Sequence, residues 1–189
     1  MAKKIKPGGK VKSVDVITAT EAADTSKAGI WKKIDEFRKT VGPGDQALIY
    51  VSSHGAVDDQ SHDFFMIPRD TDPSNLPGTA IKWKDFIEKL TSEQDGLDCR
   101  ALALVIDACN SGGSTKFNLG EQSTESRTAT TRSVKDTSLI LVTSSKDDEP
   151  SQLLSDQSRS AFTEVFLKAL NGGLPLVSKY GYVWLDRMQ

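Results

Sequence analysis

At 189 residues the chain holds enough material for one hydrophobic core and hardly for two, which excludes a large multidomain machine. Hydrophobic residues at 37% and charged residues at 26% match an ordinary folding domain. Lys and Arg number 24 against 26 Asp and Glu, so the net charge of -2 offers no basic excess for nucleic acid or an anionic membrane.

No run approaches the roughly 20 apolar residues a membrane helix requires. The first residues, Met1 to Lys10, are basic, but no apolar segment follows that could act as a secretory signal. Cys99 and Cys109 are too few for a disulfide framework, and no Cys/His cluster has zinc spacing, so the chain reads as cytoplasmic with reduced thiols. Residues 1–12 read as a basic tail and 13–189 as a single domain.

In chain order, Val14, Val16 and Ile17 form a short β-prone run after the Pro7-Gly8-Gly9 breaker. From Ala28 a helix is predicted, because Ile30, Ile34 and Phe37 recur at helical spacing beside Trp31; it stops before Gly42-Pro43-Gly44. Ala47 to Val51 is predicted as a strand buried on both faces, since its apolar residues run on rather than alternate. Phe64 to Ile67 is a shorter strand ending at Pro68. Trp83, Phe86, Ile87 and Leu90 show helix spacing again, with Thr79 placed to cap the turn before them.

Ala101 to Ile106 is the strongest buried-strand signal, and Ser138 to Thr143 is the next strand. Phe162, Val165, Phe166, Ala169 and Leu170 mark a helix ended by Asn171-Gly172-Gly173. Strands alternating with helical patterns predict a mostly parallel sheet with helices on both faces. Between Gly113 and Thr137 the chain is rich in Ser and Thr and nearly free of apolar residues, and reads as a long loop.

In parallel sheets ligands bind at the carboxyl ends of the strands. The strand from Ala47 runs into Ser52-Ser53-His54-Gly55, and the strand from Ala101 runs into Asp107-Ala108-Cys109-Asn110-Ser111-Gly112-Gly113. If these strands are neighbours, about 4.8 Å apart, an imidazole and a thiol overhang one cleft. That pair suffices for amide hydrolysis: the thiolate attacks the carbonyl and the imidazole protonates the departing amine. The amides of Gly55 and Cys109 are candidate donors to the developing oxyanion. A lone cysteine after an apolar strand is more often a small buried hydrophobe, and a lone histidine more often structural; His62, in a polar stretch beside Asp63, reads as simply exposed. The joint pattern after two consecutive buried strands is what favours chemistry.

These motifs resemble the caspase/metacaspase-like cysteine peptidases, most closely the bacterial and metacaspase branch. The matching residues are Tyr50-Val51-Ser52-Ser53-His54-Gly55, where the family usually has Ser-Gly-His-Gly, and Asp107-Ala108-Cys109-Asn110-Ser111-Gly112. Ile67-Pro68-Arg69-Asp70, Val142-Thr143-Ser144-Ser145 and Ala161-Phe162-Thr163 follow in the family's order. The resemblance implies an α/β caspase-like three-layer sandwich, its central sheet lacking the usual first strand. It divides the domain into a large-subunit-like part at 13–113, a Ser/Thr-rich linker at 114–137 and a small-subunit-like part at 138–189, with Tyr182-Val183-Trp184-Leu185 resembling the last strand.

The resemblance further implies an endopeptidase with His54 as general base and acid and Cys109 as nucleophile. Asp107 takes the position of the acid that pairs with the substrate residue before the cut, which implies cleavage after Arg or Lys, with Ser144 also in the substrate site. Arg127, Arg132 and Lys135 lie where the family joins its subunits, and are candidate self-cleavage sites. Some relatives bind calcium; Asp63 matches one acidic position, but Lys82 and Trp83 stand where an acidic pair would be, so no cofactor is expected. The acidic run Asp147-Asp148-Glu149 reads as an exposed charged loop. Protein or peptide substrates are the expected partners, with a second copy or another protein filling the missing-strand gap. The alternative is a catalytically silent caspase-like module that acts by binding.

Overall fold

The computed structural model describes residues 24–92, 94–108, 129–134, 137–144, 160–170, 178–179 and 182–183. The Val14 to Ile17 run, and with it any strand near the start of the domain, lies outside them. Helix α1 (Lys27–Arg38) begins at Ser26, whose Oγ accepts the Gly29 N–H at 3.0 Å and so satisfies one of the unpaired donors of the first turn. Strand β1 (Gln46–Ser52) is followed by β2 (Gly55–Val57) and β3 (Phe64–Met66), then the single turn α2 (Leu76–Thr79), the two-residue β4 (Ile81–Lys82) and helix α3 (Trp83–Thr91). The second half contains β5 (Ala101–Asp107), β6 (Ala129–Val134), β7 (Thr137–Thr143), helix α4 (Ala161–Leu170), β8 (Ser178–Lys179) and β9 (Tyr182–Val183).

The main sheet has the order β1-β5-β7-β6, with β1, β5 and β7 parallel and β6 antiparallel to β7. Its two faces explain the unbroken apolar runs. Leu102, Leu104 and Ile106 of β5, with Leu139 and Leu141 of β7, enter one cluster with Ile34 of α1 and Trp83, Phe86, Ile87 and Leu90 of α3. Val105 and Val142 project to the opposite face and pack on Phe166 of α4, with Leu48, Ile140, Phe162 and Leu170 around them. The period-2 alternation of a strand thus serves two helical layers at once, and helix, sheet and helix form a three-layer sandwich.

The structure departs from the sequence reading in five places. β1 was expected to be buried on both faces, yet only Ala47 is fully buried and Tyr50 is exposed, because β1 pairs only with β5 among the described residues. The Phe64 strand joins a separate antiparallel sheet, β2-β3-β4, since the chain reverses after Val57 and returns beside itself. Thr79 does not cap α3: it closes α2, its Oγ1 donating to the Asn75 carbonyl at 2.7 Å, and Lys82 is the residue that precedes α3.

Within the segment expected to be a loop, 114–137, residues Ala129–Val134 form strand β6, paired from Ala129↔Val142 to Val134↔Thr137. Its Thr content supports extended backbone without any apolar signal. Val165, counted among the core positions of the last helix, is 49% exposed; Phe166 and Ala169 carry the packing of α4. Tyr182–Val183 pairs with Ser178–Lys179 as a short hairpin.

Candidate active site

Strands β1 and β5 run parallel in register from Gln46↔Ala101 to Ser52↔Asp107. The two chemistry-bearing motifs therefore start from the same level of the sheet: His54 is two residues beyond Ser52 and Cys109 two residues beyond Asp107. Cys109 itself lies outside the described residues. The equivalence of level is set by β-ladder pairing, which a one-residue slip would destroy for every apolar side chain of both strands.

The backbone around His54 is fastened on both sides. Ser53 N–H donates to the Asp107 carbonyl at 3.1 Å, carrying the β1–β5 contact one residue past the strand end. The His54 carbonyl accepts from Ile67 N–H at 3.1 Å and from Ser53 Oγ at 2.9 Å. The imidazole-bearing residue is thus pinned between the main sheet and β3 while its side chain stays exposed. Gly55 faces Met66 in the antiparallel β2–β3 pair. The bond from Ile67 N–H to the His54 carbonyl makes this a non-hydrogen-bonded pair, so the Gly55 N–H points away from β3.

Asp107, the last residue of β5, is 3% exposed. Three hydroxyls lie within hydrogen-bond reach of its Oδ2: Ser160, in a short contact, Thr163 at 2.5 Å and Tyr50 at 3.2 Å. Ser160 is at the same time the N-terminal cap of α4, its Oγ accepting the Thr163 N–H at 2.9 Å, so the carboxylate sits at the positive end of a helix. The Tyr50 hydroxyl also meets Thr163 Oγ1 at 2.5 Å, and its ring stacks on Phe166 with centroids 5.7 Å apart. Burial, and then the neighbouring Asp107 charge, push the Tyr50 hydroxyl above its ordinary range against the opposing Thr163 bond, so it keeps its proton and remains a donor. All three hydroxyls are neutral groups, and together they fix where Oδ2 lies.

Ser144 follows β7; its N–H donates to the Ile106 carbonyl at 2.9 Å and its Oγ to the Ala108 carbonyl at 3.5 Å, which ties the end of β7 to the end of β5. Arg132 lies inside β6, whose ladder would have to open before the chain there could enter a protease site. Arg127 and Lys135 fall outside the described residues. His62 is exposed and adopts φ 56° in the β2–β3 turn, away from the strand ends. Tyr50, Ser160 and Thr163 did not stand out in the sequence as site residues. Tyr50 looked like one more apolar position of a strand, and a Ser-x-x-Thr pair before a helix signals only a cap.

At the calcium-like position the Lys82 ammonium sits on Asp63 Oδ2 at 2.7 Å, and this bond holds the Asp63 carboxyl below its usual range. A cation site needs several oxygen donors, whereas here a tethered ammonium already occupies the carboxylate. No group of three His, Cys, Asp or Glu that could hold a metal exists among the described residues.

A family model described as the caspase domain matches residues 13–178, which covers the sheet, both helical layers and both motifs. The chain belongs to the caspase-domain family. That membership supports a cysteine peptidase, a hydrolase acting on protein substrates. A search of curated proteins finds no match to this caspase-domain chain. Among its described residues, no helix is long and apolar enough to cross a membrane.

Proposed function

We propose that this caspase-domain protein is a cysteine endopeptidase that cleaves after Arg or Lys with a Cys109–His54 dyad. The observation that carries the reading is the in-register pairing that ends at Ser52↔Asp107, from which each motif continues by two residues. In the proposed reaction the Cys109 thiolate attacks the substrate carbonyl and forms a tetrahedral oxyanion, met by the amides of Gly55 and Cys109. The C–N bond then breaks as the His54 imidazolium gives its proton to the departing amine. Water, deprotonated by His54, then adds to the thioester carbonyl, and the C–S bond breaks to release the acid and return the Cys109 thiolate beside the His54 imidazolium.

Asp107 is the residue proposed to select the basic side chain, supported by its place at the end of β5, two residues from the nucleophile, and by the hydroxyls that hold its Oδ2. Ser144 joins it through its ties to the end of β5. The Asp63–Lys82 pair supports activity without calcium, and the reduced thiol the mechanism needs supports action in the cytoplasm. Self-cleavage is proposed at Arg127 and Lys135; Arg132 is the weaker site because its backbone is paired in β6. Replacing Arg127, Arg132 and Lys135 together with Gln should abolish processing seen on a gel, and unchanged processing would remove that part of the reading.

The direct test is hydrolysis of short reporter peptides ending in Arg, Lys or Asp, in chelator and then in calcium, with Cys109→Ala alongside. Cleavage after Arg or Lys in chelator, lost in the variant, is the expected result. Cleavage after Asp would keep the peptidase and overturn the role of Asp107. No cleavage under any condition would favour the silent binding module.

A further inference from the structure

The three hydroxyls on Asp107 carry three hydrogens, yet the cluster contains more short oxygen–oxygen contacts than that. The distances decide where the hydrogens go. Ser160 and Thr163 approach Oδ2 closely, so each gives its hydrogen to the carboxylate. Tyr50 is 3.2 Å from Oδ2 but 2.5 Å from Thr163 Oγ1, so its hydrogen goes to Thr163. The result is a chain from Tyr50 O–H to Thr163 Oγ1 and from Thr163 O–H to Asp107, with Ser160 as a second, direct donor. A hydroxyl that accepts a hydrogen bond becomes a better donor, so Tyr50 strengthens the Thr163 bond without being the carboxylate's main partner.

We infer that Tyr50 and Thr163 form a hydroxyl relay that positions the Asp107 carboxylate and thereby sets how the protein distinguishes Arg from Lys before the cut. This rests on the proposed role of Asp107. A carboxylate is planar and rigid; Ser160 and Thr163 hold Oδ2 from the N-terminal end of α4, and Tyr50 of β1 holds the Thr163 hydroxyl, so the relay restrains the direction of the whole group. A guanidinium binds a carboxylate through a planar fork and is sensitive to that direction, whereas an ammonium acts as a point charge and tolerates rotation. Tyr50 and Thr163 are positioning residues here: they act on substrate through Asp107.

The test uses two reporter peptides identical except for Arg or Lys before the cut, with the full chain and its Thr163→Val, Thr163→Ser and Tyr50→Phe variants. Thr163→Val should raise KM for the Arg peptide roughly tenfold, on the scale of one hydrogen bond to a charged group, with kcat held within about twofold. The Lys peptide should lose less, Thr163→Ser should restore both, and Tyr50→Phe should act weakly and add nothing to Thr163→Val. Equal losses for both peptides, additive Tyr50 and Thr163 effects, or a lowered melting temperature with KM unchanged would overturn the relay.

If the unmodified chain hydrolyses neither peptide, the proposed activity fails on its own. The relay is then read from calorimetric binding of the Arg peptide to Cys109→Ala. Roughly tenfold weaker binding when Thr163→Val is added supports it, and unchanged affinity or no binding at all overturns it.

Discussion

Ser160 does two jobs that a thermodynamic cycle can separate. Its Oγ accepts the Thr163 N–H as the cap of α4 and donates to the buried Asp107 carboxylate. Loss of a cap costs about 1 kcal/mol. Loss of a hydrogen bond to a charged group costs about 2 kcal/mol. Ser160→Ala should therefore destabilise the fold by about 3 kcal/mol. In an Asp107→Ala background only the cap remains to be lost, so the same change should cost about 1 kcal/mol, a coupling of about 2 kcal/mol. Urea unfolding followed by the fluorescence of Trp31 and the buried Trp83 gives all four corners, with comparable slopes as the check that the same surface is exposed in each. A coupling below about 0.5 kcal/mol would mean that the short contact contributes no net bond and that Ser160 acts as a helix cap alone.

Cys99 is 4% exposed, and burial pushes its thiol above the ordinary range, so iodoacetamide at neutral pH should label Cys109 alone in the folded protein and both cysteines in denaturant, read by peptide mass mapping. Because the Asp63 carboxyl is held below its usual range by Lys82, its contribution is present above the unfolded pKa of about 4 and is lost as pH falls through the lower folded value. Lys82→Met should thus lower the urea midpoint at pH 7, and its difference from the unmodified chain should shrink below about pH 4; a difference that is constant with pH would show the pair contributes through packing. The Thr143 hydroxyl is buried with no hydrogen-bond partner among the described residues, so Thr143→Val, which keeps the shape, should raise stability by about 1 kcal/mol in the same urea assay. A destabilised variant would reveal a partner for that hydroxyl.

β5 and β7 were legible because burial on two faces demands continuous apolar residues, and Leu102 to Ile106 or Leu139 to Val142 have few other uses; β1 was legible from its apolar run although only Ala47 of it is fully buried. β6 was not legible for the converse reason. It lies at the margin of the described sheet and is held by its backbone pairing with β7, so Ala129-Thr130-Thr131-Arg132-Ser133-Val134 needs no apolar face to form. The small β2-β3-β4 sheet was partly hidden in the same way: Gly55, Ala56 and Val57 are too few for periodicity to register, and only the return of β3 beside them makes them a strand.

The site divides along the same line. His54, Gly55, Cys109 and Asp107 could be named from sequence because each follows directly from a strong strand, and position along a strand converts to position in space once the register is fixed. Tyr50, Ser160 and Thr163 reach Asp107 from sequence separations of 57, 53 and 56 residues, across two layers of the sandwich. Each has a local reading that is complete without the others: a strand aromatic, a helix cap, a first-turn threonine. Only the packing of α4 on the sheet, through Phe166 against Tyr50 and Val105, brings the three hydroxyls to one oxygen. The apolar contacts of that helix therefore set the geometry of the polar ones, and a substitution such as Phe166→Leu, remote from the strand ends, should disturb the Asp107 cluster before it disturbs His54, whose backbone is fastened independently by Ser53 and Ile67.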